Sequence, residues 1–278
     1  MSIFGPMVDT RLLFPREREE LLELLGSLHP TDWSRATICP GWNVHDVVGH
    51  LLNDYLRRLS GSRDGFAGAV FANDETLPSY LARINDEFVR ATRQCSPKVM
   101  VELLAYLGPQ LDQTWAAADL NAPADTDVSW AAPDIPSPAW LDIAREFTEF
   151  WVHQQQIRDT VGRPGAQQPE LLHPVLDTFL RALPHALRGQ ARPGGTIVRF
   201  TVTGAAGGRW HAVRASDRWR MASTDTVTEA AAQVTMDQDD LWRLASRGIT
   251  PAEGRRRAVA EGDPALINAA TSLLAVIA

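Results

Sequence analysis

In the stretch EFTEFWVHQQQIRD, residues 146–159, a carboxylate and an imidazole stand four positions apart, at Glu149 and His153. On a helix that spacing places both side chains on one face, one turn from each other. Such a pair can reach one divalent ion from a single helix, and a third ligand must then arrive from elsewhere. His50 is the candidate, on a polar helix face shared with Asp46, Asn53, Asp54 and Arg57. Two neutral imidazoles and one carboxylate make a three-ligand site for Zn²⁺ or a similar ion, with a fourth position open to water, a thiol or a substrate oxygen. A thiol in that position loses its proton near neutral pH. The spacing leaves a second reading open, in which all three are ordinary exposed residues, as most Glu and many His are.

Other chemistries leave no trace. The zinc-protease pattern H-E-x-x-H is absent, as are a Cys-x-x-Cys pair, a Gly-rich phosphate loop and a G-x-S-x-G elbow. His45 falls nearer the apolar side of its helix and reads as structural. His29, His173, His185 and His211 have no partner at ligand spacing and read as loop or surface residues. Cys39, before Pro40-Gly41, reads as a small buried thiol, and Cys95 has no activating neighbour in the sequence.

The elements that must position the trio follow from periodicity. Residues 10–27 carry leucines and charges at helical spacing, with Pro15 marking the start of the regular helix. After a breaker-rich loop ending in CPGW (39–42), Asn43 is placed to cap a helix running to about Leu59, with Val44, Val48, Leu51, Leu52, Tyr55 and Leu59 as its apolar stripe. Two more helices are expected over about 77–95 and 97–118. A long proline-bearing loop spans 120–138, in which Trp130 could wall a pocket or plug the end of a bundle. The helix of the opening pair runs from about Ser137 to Val161. Its apolar arc centres on Ile143, Phe147, Phe150 and Trp151, and Glu149 and His153 fall outside that centre. Four main helices make a bundle the economical reading.

Beyond RPGAQQP (163–169), a plausible linker, comes a helix in LLHPVLDTFLRALPHALRG, and then the period changes. TIVRFTVTG (196–204) alternates as a strand, GRWHAVRAS and DRWRMAS follow as further strands, and residues 230–236 add another. DQDDLWRLASRG and DPALINAATSLLAVI read as helices. The expected fold class is therefore α+β overall, an all-α bundle over residues 1–165 followed by a smaller α+β domain over 166–278.

Composition sets outer limits. The 278 residues are 45% apolar and 22% charged, enough for a sizeable core. With 27 basic against 34 acidic residues the formal charge is −7, which argues against nucleic-acid binding. The basic run Arg255-Arg256-Arg257 reads as solvated surface. No apolar run reaches the ~18 residues of a membrane span. MSIFGPMVDTRLLF lacks a basic region followed by an apolar one, and two cysteines make no disulfide framework, so a cytoplasmic protein is expected.

Two segments together carry a resemblance. ATICPGWNVHDVVGHLLNDYL (36–56) and FTEFWVHQQQIRDTVGRP (147–164) resemble the mycothiol-dependent maleylpyruvate isomerase family, within the wider DinB/YfiT-like group of metal-binding four-helix bundles. The first matches its C-P-G-W-x-V-x-D-x-x-x-H pattern and ends at His50; the second matches its E-x-x-x-H segment at Glu149 and His153. The resemblance covers most of residues 10–165 and implies that these three positions bind zinc, with water completing the shell. LWRLASRG with VAEGDPALINAATSLL resembles the sterol-carrier-like domain that accompanies the bundle, and implies an active-site arginine, for which Arg243 and Arg247 are the candidates.

The resulting expectation is a metal-dependent enzyme, using a zinc-activated low-molecular-weight thiol such as mycothiol for isomerisation or thiol transfer on a small electrophilic substrate. Gln156 and Arg158, with Trp130, are expected to line the thiol or substrate site. The alternatives are a hydrolase with zinc-activated water and a non-catalytic binding module on the same bundle.

Overall fold

A computed structural model describes residues 3–66, 68, 72, 74–124, 130–132, 135–222 and 229–275. Parts of the 120–138 loop, Ser223 of the third expected strand and the end of the last expected helix lie outside the described residues. The chain forms two compact units, and the division does not fall at a single point. One holds Thr10–Leu120 and Glu149–Ala166; the other holds Met1–Asp9, Asn121–Thr148 and Gln167–Val276.

The first unit is helical. Its helices are α1 (Phe14–Gly26), α2 (Val44–Arg58), α3 (Leu77–Thr92), α4 (Pro97–Ala116) and the C-terminal part of α5 (Ala139–Val161). The starts are locally encoded. Pro15 and Pro97 occupy first-turn positions, where the missing N–H costs nothing. Thr76 and Ser96 accept backbone N–H bonds as N-caps. A π-turn at Leu59–Arg63 closes α2.

Apolar stripes then join these helices. Val44, Val47, Val48, Leu51, Leu52 and Tyr55 of α2 are all buried, as are Leu21, Leu24 and Leu25 of α1 and Met100, Leu104 and Leu111 of α4. Phe150 is the hub for α5: its ring lies 5.8 Å from Phe14 and 4.9 Å from Tyr55. Burying such a ring stabilises the fold by about 1.5–3 kcal/mol, with roughly 0.5–1.5 kcal/mol more per aromatic pair.

A polar seam on another side of α5 fixes its rotation against α1. Gln154 Nε2 donates to both the carbonyl and Oε1 of Glu17, each at 2.9 Å. Arg158 donates to Gln154 Oε1 and to Glu20. The segment after α5 folds back on it, with Trp151 Nε1 donating to the carbonyl of Ala166 at 2.6 Å.

The second unit contains α6 (Pro169–Leu180), α7 (Leu183–Ala186), β1 (Ile197–Thr203), β2 (Gly208–Arg214), β3 (Trp219–Met221), β4 (Ala232–Asp237), α8 (Gln238–Ala245), α9 (Pro251–Arg257), β5 (Val259–Gly262) and α10 (Pro264–Ala270). The strands form one sheet in the order β3-β2-β1-β4-β5, antiparallel except for the parallel β1–β4 pair. The alternation read in TIVRFTVTG is real: Val198, Phe200 and Val202 are buried and meet Trp210, Ala212, Val234 and Met236 on neighbouring strands. The fold class expected from the sequence, a helical N-terminal part followed by an α+β part, is the one observed.

Two short elements were not expected. α9 ends in the Arg255–Arg257 run, whose charge suits a helix C-terminus, and β5 adds an edge to the sheet. The final helix stops at Ala270, earlier than its apolar pattern suggests.

Candidate metal centre

The approach to His50 starts at CPGW. The Trp42 N–H donates to the Cys39 carbonyl at 3.0 Å, and Gly41 between them has φ +78°. Proline followed by a glycine of positive φ is the signature of a type II turn, which only glycine enters without strain. One residue later Asn43 begins α2 with a reciprocal cap: its side chain accepts from the Asp46 N–H at 2.9 Å, and its own N–H donates to Asp46 Oδ2 at 3.2 Å. Asp46 also takes both arms of the Arg93 guanidinium, at 2.8 and 3.1 Å. Gly49, beside His50, lets α3 approach: a Cβ there would overlap the hydroxyl of Thr92. Trp42 lies against the His50 imidazole, ring centres 5.2 Å apart.

Glu149 and His153 arrive from α5, set by Phe150 and the Gln154 seam. Their convergence with His50 is tight. Nε2 of His50 and Nε2 of His153 each lie 3.0 Å from the same atom, Glu149 Oε1. One ligand atom from each of the three residues can be chosen so that all lie within 4.8 Å of one another. On a tetrahedral ion with bonds of ~2.0–2.2 Å, donor atoms stand about 3.3 Å apart, so this donor set fits with small adjustments. His50 is buried and His153 largely covered, with side-chain exposures of 5% and 12%, whereas Glu149 is 37% exposed. The trio is therefore not the all-exposed surface set that spacing alone left open. It is a largely covered cluster with a solvent-facing side at Glu149.

The electrostatics keep the carboxylate ionised. Burial alone would push Glu149 up, but the charge of His153 and hydrogen bonds from both histidines hold it well below the usual carboxylate range. His153 shows the converse. Burial works against its charge, yet the charge of Glu149, the nearby Cys39 and the hydrogen bond to Glu149 hold it well above the ordinary imidazole value. A bound cation would replace that proton as the positive charge facing Glu149.

The remaining candidates separate into three groups. Gln156 is at the site, its Oε1 2.7 Å from His153 Nδ1. Arg158 is buried on the α1 side of the helix, and its guanidinium is engaged with Gln154, Glu20 and the Arg163 carbonyl. Trp130, Arg243 and Arg247 belong to the second unit. There Trp130 is buried with its ring 6.5 Å from Phe179, and Arg243 pairs with Asp239 at 2.8 Å while lying over the Trp242 ring. Arg247 is exposed just beyond α8, with φ +63°.

Among the other histidines, His45 bonds the Cys95 carbonyl at 3.0 Å, as a structural residue would. His211 is a correction: it is a strand residue only 4% exposed, bonded by Arg199 Nε at 3.2 Å, because β2 carries it into the sheet.

Two neighbours escaped the sequence reading. Asp54 Oδ2 is 3.4 Å from His50 Nε2. Its carboxyl is raised by burial, which the charge of His50 opposes and that of Glu149 reinforces. The signal was present, since Asp54 follows His50 by one turn. Cys39 donates its thiol to Gln156 Oε1 at 3.1 Å, a contact between distant segments that no local pattern announces.

Comparison with known proteins adds three findings. The profile of the mycothiol maleylpyruvate isomerase N-terminal domain matches residues 14–158, more than half of the chain. Among solved structures, the chain is similar to mycothiol-dependent maleylpyruvate isomerase at 13% identity and a TM-score of 0.53, and to a histidine-to-alanine mutant of that enzyme at 12% and 0.52. Each alignment covers 89% of this chain and 93% of the other, a likeness of fold. No curated protein matches the chain.

Proposed function

The chain belongs to the family of the mycothiol maleylpyruvate isomerase N-terminal domain, and from that premise we propose that it is a metal-dependent, thiol-using enzyme acting on a small electrophilic substrate. His50, Glu149 and His153 hold the metal, and zinc suits two imidazoles and a carboxylate. The observation that carries the reading is the meeting of both Nε2 atoms at one oxygen of Glu149. When bound, a divalent cation would lower the pKa of a thiol placed in its open position.

This chain's own residues do the rest. The covered imidazoles exclude water from one side, while the more exposed Glu149 leaves the other side open to small molecules. Trp42 covers the His50 ring. The thiol, mycothiol by family, adds as its thiolate to an electrophilic carbon of a cis double bond conjugated to a carbonyl. That bond becomes single, rotates, and re-forms as the thiolate leaves, so the thiol is regenerated and only geometry changes. Where the adduct persists, the same addition is a thiol transfer.

Metal analysis and an activity assay test the reading together. Purified protein should carry or take up one divalent ion per chain and isomerise maleylpyruvate only when mycothiol is added. Turnover indifferent to thiol would replace the reading with metal-assisted hydrolysis. Absence of stoichiometric metal, with His50→Ala unchanged in every measurement, would overturn it in favour of a non-catalytic module.

A further inference from the structure

We propose that Gln156 is a positioning residue that fixes His153 as an Nε2 ligand, with the Cys39 thiol locking the glutamine in the required orientation. The inference rests on the metal-centre reading above and extends it to residues that touch no metal. His153 Nδ1 is 2.7 Å from Gln156 Oε1. A carbonyl oxygen only accepts, so the proton must sit on Nδ1. A cation that replaced the proton on Nε2, the atom that faces Glu149 Oε1 at 3.0 Å, would then find the lone pair there while Nδ1 kept its proton.

The orientation of the amide decides the tautomer, because a glutamine turned by half a revolution would offer N–H groups and demand the lone pair on Nδ1. Cys39 sets that orientation. Its Sγ lies 3.1 Å from the same Oε1, and a thiol is a donor with little accepting power. Two donors therefore meet one oxygen. The type II turn at Cys39–Trp42 holds the sulfur, α5 holds the glutamine one turn from His153, and Gln156 is only 8% exposed, so water competes poorly.

His50 makes the contrast. Its Nδ1 is buried and has no hydrogen-bond partner among the described residues. Metal-bound imidazoles ordinarily donate their second N–H to a partner that fixes the ring and strengthens the ligand. Of the two histidines here, only His153 has that support, so it is the ligand prepared in advance. The acceptor is also a neutral amide and not a carboxylate, which leaves the imidazole a weaker donor and the bound cation more acidic toward an incoming thiol.

The experiment uses the full chain with zinc, cobalt and nitrogen NMR. Zinc affinity is measured by chelator competition for wild type, Gln156→Leu, Gln156→Glu, Cys39→Ala and Cys39→Ser. Gln156→Leu should weaken zinc about 10–100-fold and shift the visible spectrum of the cobalt form, whereas Gln156→Glu should bind at least as tightly as wild type. In zinc-loaded wild type the side-chain nitrogen shifts of His153 should report the metal on Nε2 and the proton on Nδ1, and Gln156→Leu should lose that preference. Cys39→Ser should behave as wild type and Cys39→Ala should weaken zinc less than Gln156→Leu.

The Gln156→Glu rescue separates positioning from misfolding, which would harm both glutamine variants. Zinc binding by wild type with equal affinity and an unchanged His153 tautomer in Gln156→Leu overturns this inference alone. A wild type that binds no zinc overturns the metal reading and this inference with it.

Discussion

The imidazole rings of His50 and His153 stand 4.7 Å apart and nearly perpendicular, at 76°, although they come from separate helices far apart in the chain. Each points its Nε2 at Glu149 Oε1, so the three side chains form a cluster that could hold a metal ion.

Removing either imidazole should therefore abolish tight metal uptake. His50→Ala or His153→Ala is expected to weaken zinc by more than about 100-fold, exceeding the effect typical of residues beyond the ligands. Zinc at 100 times its dissociation constant should stabilise wild type by about 2.7 kcal/mol, a rise in melting temperature of roughly 5 °C for a chain of this length. Calorimetry with and without a chelator should show that rise in wild type and none in either variant.

Glu17 should make stability depend on pH. Its carboxyl is fully buried, Oε2 has no partner among the described residues, and burial pushes its pKa up to about 8 against the charge of Arg18 and the hydrogen bond from Gln154. In the unfolded chain the group titrates near its ordinary value of 4.5. The folded state thus binds the extra proton between those values, and its stability falls as pH rises from 4.5 towards 8. Glu17→Gln removes the dependence. At pH 8 it should be more stable than wild type, relative to pH 4.5, by about 3–5 kcal/mol. Parallel melting curves of the two proteins across pH would refute the buried-acid account.

Gly49 should tolerate no side chain while Thr92 is present. Gly49→Ala places a methyl on the Thr92 hydroxyl, and the crowding should cost about 1–3 kcal/mol in urea unfolding. Thr92→Ala in the same chain should return part of that loss. A double-mutant cycle with no coupling would show that the two helices adjust independently.

The cap of α2 offers a graded test. Asn43→Ala should cost about 1 kcal/mol, the usual price of an N-cap. Asp46→Ala should cost more, about 2–3 kcal/mol, because the buried carboxylate serves both the Asn43 N–H and the Arg93 guanidinium. Equal losses for the two variants in chemical denaturation would argue that the Arg93 pair contributes nothing.

Much of this arrangement was legible before any tertiary contact was known. Asn43 announces the start of α2, and the alternation at Val198, Phe200 and Val202 announces β1, because both depend on neighbours in sequence. α9 and β5 did not announce themselves, being seven and four residues long with no full period to read. His211 looked like a surface residue because a single polar side chain within a strand carries no sign of what covers it.

The sequence by itself determined the helices, their apolar faces and the pairing of Glu149 with His153, since each follows from backbone geometry over one or two turns. It left open whether the polar edge of α5 faces water or protein. Periodicity reports a residue's position around its own helix and says nothing of what lies opposite. Tertiary structure decided that. Phe150 packed between Phe14 and Tyr55, with Gln154 bonded to Glu17, fixes the rotation of α5 so that Glu149 and His153 meet His50. The same packing turns Arg158 towards Glu20 and brings Cys39 onto Gln156, contacts that no spacing rule contains.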